Sequence, residues 1–589
     1  MVAEAAPALA QDERRSAVEP LLDETAEALL SEFPENATIL GLDKGDRLTL
    51  KAKLTDRTPQ GVERRRDAAQ ARLRRLGALE QARLSPADLI HVDTIRTAHQ
   101  TALEGHRFGF GDVPILNYDL AYRPTPYTVT QNSGAMYETP DFLDSKHVIA
   151  GAADAEAYLA RLEAFAAGLE GETERLQHQA SIGVIAPSFL LDKTLKQHRS
   201  VRALAPDRTV MAASLARRSK AHSVRAEQIV ARRIFPALDR QIAELERHRA
   251  QATDDAGVWK LPEGEAYYAW ALRAGTTTER SPDEVHRQGL EELEALHARM
   301  DALLRAQDLT KGSVGERMTA LGRNPRHLFP NTDAGRQQIL DYCNGRIASI
   351  RTRLPRAFAT MVPGRLVIKR VPVEIEAGAP GGYAGRGAID GSTPGNYYLN
   401  LRDTSIWPRY GLPTLSYHEG IPGHIWQGEY AFKLPLARTL LSFNAYAEGW
   451  ALYAEQLGDE LGAYEEDPLG RLGYLQSLAF RACRLVVDTG LHAKRWTRAY
   501  AQQWFASTNG STMEEVQGEV DRYCAWPGQA CGYKVGHSEI LRLRGKAQAA
   551  LGPAFDLRTF NDALVLGGGV PMTTLGRVVD RHIASVQST

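Results

Sequence analysis

Cysteine is scarce in this chain. Four residues in 589 (Cys343, Cys483, Cys524 and Cys531) include no Cys-x-x-Cys pair. So few in so long a chain argue against a disulfide-built scaffold, and they read as small buried residues. Cys524 and Cys531, flanking Trp526-Pro527-Gly528-Gln529, are the pair to examine for a bridge. Net charge is equally slight. With 71 basic and 72 acidic residues, no global field argues for nucleic acid or an anionic surface as partner. The cluster Arg64-Arg65-Arg66 with Arg72, Arg74 and Arg75 reads as the solvated face of one helix. No stretch approaches the roughly 20 apolar residues of a membrane span, and no fixed-period repeat suggests a solenoid.

Helical patterning dominates what is present. Ser85-Pro86-Ala87-Asp88 and Ser281-Pro282-Asp283-Glu284 each combine a capping residue, a first-turn proline and an early acid, the signature of a helix start. Long amphipathic runs cover 13–32, 61–82, 86–105, 154–178, 208–250 and 282–306, and the segment from Tyr118 to Asp144 reads as a loop-rich break. After Pro363 the texture changes. Leu366 to Ile375 is rich in β-branched residues and reads as a strand with Pro372 at an edge or bulge. A glycine-rich loop from Gly378 to Gly395 follows, and then a second strand, Asn396 to Leu401. The fold class is mainly α with a small β-sheet. Working divisions are a flexible lead-in over 1–20, a helical region over 21–330 and a region over 331–589 that carries the chemistry. No Ser/Thr/Gly linker separates them, so they are parts of one continuous fold.

The most informative segment is His418-Glu419-Gly420-Ile421-Pro422-Gly423-His424, followed at Glu448 by an acid in an apolar, aromatic run. Two imidazoles, a neighbouring carboxylate and a later carboxylate make a zinc-hydrolase composition. The spacing is unusual. Ligands at i and i+4 lie about 40° apart on a helix, whereas His418 and His424, at i and i+6, lie about 240° apart. Pro422 lacks the N–H that would bond back to His418, and Gly420 and Gly423 tolerate unusual dihedrals, so a broken helix can swing the two rings together. Neutral His418 and His424 with the Glu448 carboxylate would then hold Zn2+, with Fe, Mn or Co also suited to this set. Glu419 would act as general base on the metal-bound water. Glu455, seven residues beyond Glu448, is a rival ligand or a group that orients one.

These segments resemble the bacterial domain-of-unknown-function 885 family, which is related to gluzincin-type zinc metallopeptidases. Further likeness lies in Asp390 to Gly395 leading to Tyr397-Tyr398-Leu399-Asn400, in Gly257-Val258-Trp259 through Tyr268, in Arg484 to His492, and in Pro527 to Gly536. It runs from about residue 20 to the C-terminus. The resemblance implies a large helical zincin-like bowl with the sheet beside the active-site helix. It also implies that Tyr397, Tyr398 and Asn400 lie on an edge strand able to pair with an extended peptide; an ordinary core-covering strand is the alternative.

Acyl transfer also needs donors to a developing oxyanion. Tyr533, in a glycine-bracketed segment, is the first candidate, followed by His492 and His537. Asp488 and His492, four apart, could pair on one helix face. Lys534, Arg542 or Arg544 could bind a substrate carboxylate. The reading that follows is a zinc-dependent hydrolase of amide bonds in peptides or peptide-like small molecules, of carboxypeptidase or oligopeptidase type. Alternatives are a metal-dependent transamidase or cyclase on a biosynthetic intermediate, and a non-catalytic helical binding protein. Ala8-Leu9-Ala10 resembles a signal-peptidase site, but the segment lacks a basic start and an apolar centre. As written the chain reads as cytoplasmic, or as exported if a signal has been removed.

Overall fold

Helices form where the sequence marks their starts. In the computed structural model, which describes residues 18–113, 123–373, 376, 381–391 and 393–588, the principal helices of the first half are six. They are α1 (Glu19–Glu32), α2 (Pro59–Gly77), α3 (Pro86–His106), α4 (Ala152–Ser181), α5 (Phe235–Gln251) and α6 (Pro282–Arg305). Ser85 and Ser281 each accept from the backbone N–H three residues on, and Asp88 and Glu284 reach back to the serine N–H. Two otherwise unbonded amides are thereby satisfied at each helix start. Of the lead-in over 1–20, residues 1–17 lie outside the described residues.

Several sequence expectations are corrected. The run over 208–250 is not one helix: Val210–Arg218 and Ser223–Ile229 are separate, and one π-helical turn, Val230–Ile234, precedes α5. Pro236 at the start of α5 has no N–H to continue a regular ladder. The break from Tyr118 to Asp144 contains a helix, Ala135–Ser145, while 118–122 lie outside the described residues. The arginine face is not uniformly solvated. Arg72 is buried against Glu32 and His99, and Arg65 donates to the Asp56 carbonyl at 2.6 Å. All four cysteines are free and buried, so Cys524 and Cys531 form no bridge.

The sheet has three strands, β1 (Leu366–Arg370), β2 (Gly382–Gly385) and β3 (Gly395–Leu399), in the order β1-β3-β2. β1 runs parallel to β3, and β2 antiparallel to it. Tyr397 and Tyr398 are therefore on the central strand, not an edge. Both sides of β3 are occupied, which leaves it no free ladder for a peptide. The edge beside the metal motif is β2, four residues within the glycine-rich segment, whose composition hides a strand.

A single buried apolar cluster runs from Val18 to Ile583, so residue 330 is no packing boundary. A second cluster lies within 135–238. The second half supplies α7 (Leu412–Glu419), α8 (His424–Ala431), α9 (Asn444–Glu460), α10 (Pro468–His492), α11 (Met513–Ala525) and α12 (Gln529–Leu551). α10 packs on α6 and α9 packs on α12. The α9–α12 contact is backbone to backbone. A Cβ at Gly536 would stand 1.9 Å from the Ala445 carbonyl oxygen, and one at Gly449 would stand 2.5 Å from the Gly536 carbonyl carbon. This close approach brings the helix carrying Glu448 against the helix carrying Tyr533. Among the described residues, no helix is long and apolar enough to cross a membrane.

Candidate metal centre

The helix that begins at Leu412 stops at Glu419, and a new one starts at His424. Between them Gly420 has φ −98° and ψ −99°, Gly423 has φ −77° and ψ −136°, and the Ile421–Pro422 bond is cis. Gly423 cannot be replaced freely, because an added Cβ would meet the His418 carbonyl oxygen at 1.9 Å. The Trp450 indole N–H donates to the Pro422 carbonyl at 2.9 Å, tying the linker to α9, which bears Glu448. The interruption turns the two imidazoles toward each other. Their ring centres are 5.0 Å apart and nearly perpendicular.

Glu448 completes the group. Its Oε2 lies 3.5 Å from His418 Nε2 and 3.3 Å from His424 Nε2, and the three donor atoms lie within 4.8 Å of one another. An ion held tetrahedrally at 2.0–2.1 Å has ligand atoms about 3.4 Å apart, which matches both separations. Glu448 Oε2 is buried with no geometrically good hydrogen bond, an arrangement costly to fold unless another group takes that oxygen. The residues present therefore fit a divalent ion. His418 is sealed at 3% side-chain exposure while His424 keeps 22% and Glu448 15%, so the cluster is open on the His424 side.

The electrostatics demand positive charge here. Burial opposes protonation of His418, but Glu448, Glu455 and Glu419 together outweigh it and hold the imidazole up at about 9. Burial likewise opposes the Glu448 carboxylate, and the two histidines outweigh it, holding Glu448 well below the usual range. His418 Nδ1 is 2.8 Å from Glu455 Oε1, and the other Glu455 oxygen accepts from the Thr414 hydroxyl at 2.6 Å. Glu455 is thus the group that orients His418, fixing the tautomer that turns Nε2 toward Glu448. Glu419, on the last residue of α7, is buried beside the cluster.

Other residues expected in the site fall into two groups. Tyr533 is beside the metal group: its half-buried ring lies parallel to that of His418 at 6.5 Å. Tyr398 is half-buried and stacks on Tyr383 of the edge strand at 5.0 Å. The rest are committed elsewhere. Tyr397 is fully buried, and burial pushes its phenol well up. The Asn400 amide donates to the Glu376 carbonyl at 2.7 Å, and its oxygen accepts from the Arg402 N–H at 3.2 Å. His492 accepts from the Val258 N–H and donates to the Tyr523 carbonyl, both at 3.1 Å. Asp488 does not pair with it; the Asp488 carboxylate accepts from the Tyr268 hydroxyl at 2.6 Å and from the Gly528 N–H at 3.1 Å. His537 donates to Gln456 at 2.9 Å and takes the Lys534 ammonium at 3.1 Å. Lys534 is buried against Glu292, Arg544 is paired with Glu460 at 2.9 Å, and Arg542 with Glu539 at 2.6 Å.

Sequence reasoning missed Arg484 as a site residue. Its guanidinium carbon stands 4.2 Å from the centre of the Tyr533 ring, and Glu448 is among the acids that favour its charge. The only sequence signal was its place at the head of the segment Arg484 to His492.

Comparison with known proteins gives the fold and the lineage but no activity. No curated protein matches the chain. A candidate lipoprotein from Colwellia psychrerythraea, solved as a crystal structure, is 31% identical, with a TM-score of 0.92 over 96% of this chain and 99% of that one. A candidate lipoprotein of unknown function from Shewanella oneidensis is 17% identical, with a TM-score of 0.71 over 95% and 99% of the two chains. The model of the bacterial protein family of unknown function DUF885 matches residues 34–579. The chain belongs to that family.

Proposed function

We propose that the protein is a divalent-metal hydrolase of amide bonds in short peptides or peptide-like molecules, with zinc the ion that best suits its donor set. The observation that carries this reading is the Glu448 oxygen, buried without a good hydrogen bond and facing two imidazole nitrogens at tetrahedral-edge distances. His418, His424 and Glu448 would hold the ion. It would supply Lewis acidity at the substrate carbonyl and a more acidic water.

The chain's own residues do the remaining work. Glu419 takes the proton of the attacking water as the new C–O bond forms, and returns it to the departing amine as the amide C–N bond then breaks. Tyr533 places its phenol where charge develops on the carbonyl oxygen. Glu455 and Thr414 keep His418 aimed. The same donor set carries the proposed kinship with gluzincin-type peptidases. The lipoprotein descriptions of both solved relatives favour an exported setting for this chain.

The test is turnover of a mixed peptide library by zinc-loaded protein. Hydrolysis by the wild type, with a loss of about 100-fold or more in Glu419→Gln, supports the proposal. Full activity in Glu419→Gln, or no cleavage of any peptide, refutes it. Product masses also separate hydrolysis, which adds one water, from transamidation or cyclisation, which adds none.

A further inference from the structure

Three cations were candidates for a substrate anchor, and each has a carboxylate partner. Lys534 is buried against Glu292, Arg542 is held by Glu539 and Arg544 by Glu460. Arg484 differs. It is only 7% exposed, its Nε donates to the Tyr523 hydroxyl at 3.0 Å and one Nη2 donates to Glu519 at 2.9 Å. Its Nη1 is buried with no hydrogen-bond partner. Two N–H bonds of a guanidinium are thus left without an acceptor, a costly state for a charged donor.

Arg522 donates to the same Glu519 carboxylate at 2.9 Å, so two guanidinium groups share one acid. Arg484 lies beside Tyr533, whose ring touches its guanidinium and lies parallel to the His418 imidazole. One aromatic ring therefore links Arg484 to a metal-ligand histidine.

We propose that Arg484 Nη1 receives the C-terminal carboxylate of a short peptide whose scissile amide lies at the His418–His424–Glu448 cluster. This deepens the hydrolase reading above and rests on it. An extended chain advances roughly 3.5 Å per residue, so an anchor one aromatic ring away from the ligands fits one or two residues beyond the scissile bond. The substrate class is then small peptides with a free C-terminus, trimmed from that end. The guanidinium lies against the rings of Tyr533 and Phe480; Nη1 is sealed from bulk water, and small side-chain shifts of the kind common on binding admit the carboxylate. Arginine suits the task because its planar fork matches a carboxylate and its charge does not titrate.

The test is binding, read by calorimetry in a Glu419→Gln background that prevents turnover. The probes are mixed-sequence tetrapeptides prepared as free acids and as C-terminal amides. The expected result is that acids bind at least about tenfold more tightly than amides. Arg484→Gln should abolish that preference while leaving amide binding unchanged. Glu519 keeps Arg522 as partner in that variant; Arg484→Lys, which retains the charge, provides a second variant with a reduced preference. Equal binding of acids and amides by the parent overturns the proposal without need of any variant. So does an acid preference that survives Arg484→Gln. A protein that selects acids through Arg484 but hydrolyses nothing refutes the hydrolase reading and keeps only Arg484 as a carboxylate anchor. Hydrolysis without acid selection does the reverse.

Discussion

The Nδ1 of His418 meets the Glu455 carboxylate at 2.8 Å, and Thr414 holds the other oxygen of that carboxylate at 2.6 Å. The bond crosses from α7 to α9, so a group on the Glu448 helix decides which nitrogen of His418 faces the ligand cluster. Such a partner raises ligand basicity and fixes the ring.

Glu455→Gln should therefore weaken zinc binding by about 10- to 100-fold with little change in fold. Competition against a chromophoric chelator measures it. Unaltered affinity would mean that His418 is oriented by packing alone.

Gly423→Ala tests the helix break. The new methyl would stand 1.9 Å from the His418 carbonyl oxygen, and this is backbone that cannot step aside. A cost of about 1–3 kcal/mol in unfolding free energy is expected, together with weakened metal binding as His424 moves away from Glu448. Denaturant unfolding and zinc titration read the two effects separately.

Asp488 and His492 titrate in opposite senses. Burial holds His492 down at about 4, against its bond to Tyr523. The unfolded chain thus binds more protons than the fold, so this stability is present above pH 6.5 and is lost as pH falls toward 4. Burial pushes Asp488 up to about 7, against its bonds from Tyr268 and Gly528. That contribution is present below pH 4 and is lost as pH rises through 7. Each is worth on the order of 3–4 kcal/mol over its window. Unfolding at pH 4, 5, 6 and 7 should show His492→Gln losing less stability toward acid than the wild type, and Asp488→Asn losing less as pH rises toward 7. Parallel profiles for variants and wild type would remove these two groups from the account.

Much of this was legible in the chain because it is local. The capping boxes at Ser85 and Ser281 use partners three residues away. The broken spacing between His418 and His424 carries its explanation inside it, in Gly420, Pro422 and Gly423. What was hidden depends on partners distant in sequence. His492 is satisfied by Val258 and Lys534 by Glu292, more than 200 residues away, so neither reads as occupied from its own segment. β2 was invisible because Gly382-Tyr383-Ala384-Gly385 has no apolar alternation, and without it β3 looked like an edge. Arg484 shares its helix face with Arg481 and Asp488, and its residual donor becomes evident only once Glu519 and Tyr523 have taken the others.

The central claim is that His418, His424 and Glu448 form one divalent-metal site, and metal content tests it most directly. Protein saturated with zinc and freed of excess by gel filtration should retain one ion per chain by elemental analysis. His424→Ala should retain none, while Glu419→Gln, which spares the ligands, should retain one. A metal-free wild type, or zinc that persists undiminished in His424→Ala, would contradict the account.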